Sequence, residues 1–311
     1  MFLFAPIALF ACGDGNISVV QENDDHGHTN GHGHSHGIGN SEPIILVKPH
    51  KHAYCSGDQT KKLDRFTEVI KLGSTSVRLF VEPGVAVEIV ELVVSTIEDT
   101  NVFIQTVGEA PAELRVVICE SFPAPRALKT HNPVLVFGQD LIEADENAQR
   151  AVLIHEYSHA IFEEILHQDI DATGKNHPPH FEPFVELFSD TVAVFLLADG
   201  TSIRSALETA FPAQVFAERD FTIRHVLNPS LFDSPAAMTA PLRSILWREY
   251  QKRIKDGEEN AGPEILRALA TASVRALLEL EAGTDKRPIL LKPNRINDLI
   301  LRHLIDQDAL R

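Results

Sequence analysis

An α+β fold is expected for most of this 311-residue chain, and three observations predict it. Short β-branched runs bounded by Pro and Gly, Leu114 to Cys119 and Val134 to Phe137, stand early in the sequence. Long amphipathic segments dominate after Glu143, and the two kinds of segment do not alternate as a parallel βαβ sheet would require. With 44% hydrophobic and 23% charged residues the composition is that of a packed globular protein. The formal net charge of −16 argues against nucleic acid or an anionic membrane surface as partner, since both require clustered positive charge. No stretch reaches the ~20 apolar residues of a spanning helix.

Taken in order, the elements begin with an export signal. Met1 to Ala11 is almost wholly apolar and too short to cross a bilayer. Leu9-Phe10-Ala11-Cys12 resembles the lipobox of bacterial lipoproteins, which implies that Cys12 is lipidated and that residues 1–12 are a processed leader. Residues 13–50 read as a flexible tether, polar and low in complexity. It carries His26, His28, His32, His34 and His36, which can capture metal loosely or be incidental to a solvated linker. Residues 51–311 are expected to form one domain, strand-containing over 51–142 and helical over 143–311. Gly84 to Thr100 predicts a helix apolar on most faces and therefore buried. Glu143 to His167 predicts a long amphipathic helix. Pro183 to Ala198 predicts a second, stopped by Gly200, with a Pro/His-rich loop between the two. Further helices are expected over Pro235 to Lys255, Pro263 to Ala282 and Asn294 to Leu310. With Cys12 lipidated, Cys55 and Cys119 are left as one disulfide or as two buried thiols.

The informative stretch is His155-Glu156-Tyr-Ser-His159, in the middle of the first long helix. Helical positions four apart lie about 40° apart around the axis, so both imidazoles can reach one ion. Glu156 points about 100° away, within reach of a water on that ion without being a ligand. A chain of this composition contains such a pattern by chance about 0.06 times. Its apolar surroundings (Val152, Leu153, Ile154, Ile161, Phe162) add weight, because two His and a Glu are costly to bury without partners.

A catalytic zinc takes three protein ligands. The following helix offers Glu186 and Asp190 at i and i+4 among Phe184, Val185, Leu187, Phe188 and Val192, where a carboxylate needs a cation or donors. Glu186 as third ligand, with Asp190 accepting from the far nitrogen of His155, satisfies both residues. His177, His180, Glu182 and Asp190 are the rival third ligands; His167 reads as a residue offsetting the helix dipole. His155-Glu156-x-x-His159 followed by Glu186-x-x-x-Asp190 resembles the gluzincin branch of zinc metallopeptidases, the thermolysin-like group. The segment Leu242 to Tyr250 is loosely similar to the helix that follows the ligand helix in those enzymes.

The resemblance implies a zincin-like fold with a small N-terminal sheet, one catalytic Zn2+ on His155, His159 and Glu186, and Glu156 as general base in peptide-bond hydrolysis. It further implies an oxyanion donor from the C-terminal region, for which His225 and Tyr250 are candidates, and a peptide or protein substrate bound as an added strand. Val134 to Phe137 is the expected sheet edge. Contact with membrane is expected through the lipid anchor only, and the setting is extracytoplasmic, in the cell envelope or secreted. Two other classes compete: a catalytically inactive zincin-fold binding lipoprotein, and a periplasmic metal-handling protein loaded through its His-rich tether.

Overall fold

The computed structural model describes residues 66–119, 126–128, 134–169, 181–210, 215–226, 234–282 and 293–310. The leader, Cys12, the His-rich tether, Cys55, His177 and His180 lie outside the described residues. The described part is mixed α/β, mostly helical, with one small sheet.

Strands β1 (Phe66–Leu72) and β2 (Thr75–Val81) form an antiparallel hairpin. Gly73 turns it at φ +63°, in the left-handed region that glycine enters without steric cost. Helix α1 (Val87–Ile104) then returns the chain to β3 (Glu113–Ile118), which lies parallel to β2. Strand β4 (Arg126–Leu128) and strand β5 (Val134–Phe137) complete the order β1-β2-β3-β5-β4, with β5 parallel to β3 and β4 antiparallel to β5.

Three expectations change here. A β2-α1-β3 crossover unit is present, because the α1 segment sits between two strands rather than after all of them. The sheet edge beside the helices is β4 and not Val134 to Phe137, which pairs on both sides. A three-residue strand is too short to show the alternation that marks longer ones. Helix α1 buries one face only (Val93, Thr96, Ile97, Thr100 and Ile104), leaving Val87 and Val102 exposed.

After the short α2 (Gln139–Ile142), Asp145 caps the next helix by accepting from the Ala148 N–H at 3.0 Å. That helix is α3 (Glu146–Asp169), packed between α1 and the sheet on one side and the helical half on the other. Helix α4 (Glu182–Leu196) is the centre of the helical half: every residue from Pro183 to Phe195 is buried. Around it lie α5 (Ser202–Ala210), α6 (Pro235–Met238), α7 (Ala240–Lys255) and α8 (Ala261–Ala282), while α9 (Pro293–Asp306) packs on α8. The helix expected over Pro235 to Lys255 is two, broken at Thr239 (φ −107°, ψ 5°) just ahead of Pro241. Phe162 of α3 meets Phe188 of α4 with ring centroids 5.1 Å apart, and such contacts fix the spacing of the two helices.

Candidate metal centre

Helix α3 carries His155 and His159 on the face turned to α4, and both are buried. Their Nε2 atoms are 3.0 Å apart. Two basic ring nitrogens at that distance require a shared proton or a cation that takes both lone pairs. From α4, Glu186 presents its carboxylate to both: Oε2 lies 3.7 Å from His155 Nε2 and Oε1 3.7 Å from His159 Nε2. In a tetrahedral ion with bonds near 2.0–2.2 Å, ligand atoms sit about 3.3–3.6 Å from one another, and the observed separations bracket that range. His155, His159 and Glu186 form a buried group that can hold a metal ion, the only such group of three among the described residues.

Asp190, one turn beyond Glu186, is fully buried, with Oδ1 2.9 Å from His155 Nδ1. The approach is close but lies off the line of a well-formed hydrogen bond. Burial alone would lower the pKa of His155; the contact with Asp190 and the charges of Asp190 and Glu186 outweigh it, and the net shift is upward. With Nδ1 turned to Asp190, Nε2 is left facing the ligand group. Glu156 is half-buried and outside the group of three.

Two arginines complete the centre, and neither was anticipated from the sequence. Arg219, in a 3-10 turn (Ala217–Arg219), donates through Nη2 to Glu186 Oε2 at 2.7 Å and through Nη1 to Asp190 Oδ1 at 2.5 Å. Arg243 of α7, with no exposed surface, donates through Nε and Nη2 to Asp190 Oδ2, and through Nη1 to the Ala236 carbonyl at 2.7 Å. Burial, the largest single influence, would push both carboxylates up; at Glu186 the charges of Arg219, His159 and His155 together outweigh it, and at Asp190 those of Arg219 and Arg243 with the contact to His155 do so. Both are held below the ordinary carboxylate range. The two carboxylates and two guanidiniums therefore cancel in charge. The available signal was the unpaired demand of a buried Asp190, which one imidazole does not meet.

Both suggested oxyanion donors have hydrogen-bond partners outside the ligand group. His225 donates from Nε2 to the Asp220 carbonyl of its own loop at 2.6 Å. Tyr250 stacks on Phe195 at 4.4 Å and donates to the Phe195 carbonyl. Phe195 stands nine residues after Glu186, about 13 Å along α4, so the Tyr250 ring serves packing rather than the centre. Glu182 occupies the first turn of α4 and His167 the exposed last turn of α3; neither joins the ligand group.

Cys119, at the end of β3, is buried and disulfide-bonded, its partner lying outside the described residues. No described helix is long and apolar enough to cross a membrane. Comparison with known proteins finds no family model that matches the chain, no similar curated protein and no similar solved structure.

Proposed function

We propose that the chain is a zinc-dependent endopeptidase of the gluzincin type, exported to the cell envelope as a lipoprotein. The observation that carries the reading is the convergence of His155, His159 and Glu186 on one buried point, with Glu156 adjacent on the same helix and outside the ligand set. The donor set of two imidazoles and one carboxylate suits zinc with a position left for substrate or water. When bound there, zinc would act as a Lewis acid toward a carbonyl and make a water nucleophilic near neutral pH.

The protein's own groups supply the rest. Asp190 holds the His155 ring so that Nε2 faces His159 and Glu186, where an ion would be held, and the two arginines keep Asp190 ionised and in place. Glu156 takes the proton from the attacking water and passes it to the leaving amine, which an amide side chain cannot do. Strand β4, paired only by β5 among the described residues, offers the edge on which an extended peptide would add. A disulfide at Cys119 supports an oxidising, extracytoplasmic setting.

Glu156→Gln tests the enzymatic reading. Zinc content should be retained while peptide hydrolysis falls by about 10²-fold or more. Hydrolysis within about tenfold of wild type would remove Glu156 from its role.

A further inference from the structure

We infer that Arg219 sets the coordination number and ion preference of the centre by occupying one oxygen of Glu186; the inference rests on the metal site proposed above. Glu186 Oε2 accepts from Arg219 Nη2 at 2.7 Å, whereas the imidazole Nε2 atoms lie 3.7 Å from the carboxylate on either side. The guanidinium is not free to swing away. Its Nη1 is held by Asp190 Oδ1, and Asp190 is fixed in turn by the fully buried Arg243. The backbone below it is stapled as well. Arg219 N–H donates to the Phe216 carbonyl and Phe221 N–H to the Gly200 carbonyl, both at 2.9 Å. The Asp220 carboxylate accepts from the Thr222 N–H and hydroxyl and from Arg204. Arg219 Nε is buried with no partner among the described residues, so the two carboxylates, rather than full hydrogen bonding, dictate where this side chain sits.

Oε2 gives one lone pair to a guanidinium and is drawn toward it, which leaves Oε1 the stronger metal donor and disfavours chelation through both oxygens. The protein then supplies three ligand atoms, the number that leaves a tetrahedral ion one open position. With Arg219 gone, Glu186 can chelate through both oxygens, the mode that larger, oxygen-seeking cations use. Arg219 thus favours zinc over such ions. Its positive charge also weakens the binding of every divalent cation, so the ratio of affinities between ions, and not either affinity alone, reports its role.

The test uses the full chain, with Zn2+ and Mn2+ dissociation constants measured by chelator competition for wild type, Arg219→Met and Glu186→Gln. In Arg219→Met the preference for Zn2+ over Mn2+ should shrink by about tenfold or more, the scale on which groups that hold metal ligands act. A preference unchanged within about threefold, with one ion bound per chain, overturns the inference. A second measurement does not depend on Arg219→Met folding: the infrared difference between zinc-loaded and metal-free wild type. Bands that disappear in Glu186→Gln should show the wide separation of carboxylate stretches expected for one-oxygen ligation; a narrow separation, the mark of two-oxygen ligation, overturns it. Zinc binding that is absent in wild type, or undiminished in Glu186→Gln, sinks the metal site itself and this inference with it, an outcome distinct from an unchanged ion preference.

Discussion

Replacing Arg243 by Met, which has similar length and no charge, should cost the metal-free protein about 4 kcal/mol of stability. The figure follows from what the guanidinium touches. Arg243 is wholly buried, holds Asp190 Oδ2 through two nitrogens and satisfies the Ala236 carbonyl. Breaking a buried ion pair from one side costs about 3–5 kcal/mol. An orphaned carbonyl adds about 1–3 kcal/mol where it cannot find water. Asp190 retains Arg219, which places the sum toward the low end. For a domain of this size each kcal/mol shifts the melting temperature by about 2–4 °C, so a fall of about 8–16 °C is expected. Urea unfolding followed by circular dichroism in the presence of chelator gives the free energy directly. Two further results are expected. Saturating zinc should reduce the loss, because the variant leaves one uncompensated negative charge beside the cation site. Adding Asp190→Leu should recover part of it, because Glu186 and Arg219 again cancel. A loss below about 1 kcal/mol for Arg243→Met would refute the view that this pair is buried and energetically coupled.

Glu186→Ala should lose most bound zinc, since two imidazoles retain only part of the chelation, whereas Asp190→Asn should weaken binding or activity by about 10–100-fold; chelator competition ranks the two, and equal affinities would put the ligand assignment in error. Gly200→Ala should destabilise the fold by about 1–3 kcal/mol. Its new Cβ would lie 2.8 Å from Trp247 Cε2 and from Thr222 Cγ2, in the loop that carries Arg219, so a drop in metal affinity should accompany the fall in melting temperature. Labelling with a fatty-acid analogue should mark wild type and not Cys12→Ala, and the wild type should partition with membranes; an unlabelled, soluble cytoplasmic protein contradicts the export reading.

How much of this was legible from the sequence depends on the distance over which each feature is encoded. The helix that carries the buried histidine pair was readable because His155 and His159 sit one turn apart and declare a shared face within five residues. Glu186 and Asp190 were readable for the same reason, since two carboxylates one turn apart on an apolar helix demand partners. The β1-β2 hairpin is encoded by Gly73-Ser74, a two-residue turn signal between two strand-like runs. Strand β4 carries almost no signal, being three residues long. Arg219 and Arg243 lie 29 and 53 residues beyond Asp190, and no period links an ion pair across such spans. The buried charge of Arg243 is defined only once α4 and α7 are packed together.

The spans that join Asp190 to its two arginines also impose an order in time. At about 5–20 residues per second of synthesis, the Asp190 carboxylate is made about 3–10 s before Arg243. Until then α4 holds two acidic groups in a segment whose every residue from Pro183 to Phe195 is destined for burial. Closing that core early would trap uncompensated charge, so the helical half has reason to remain open until the chain has grown past α7. A nascent chain stalled before Arg243 should therefore be protease-sensitive across α4, while one released beyond it closes around a centre whose charges already balance.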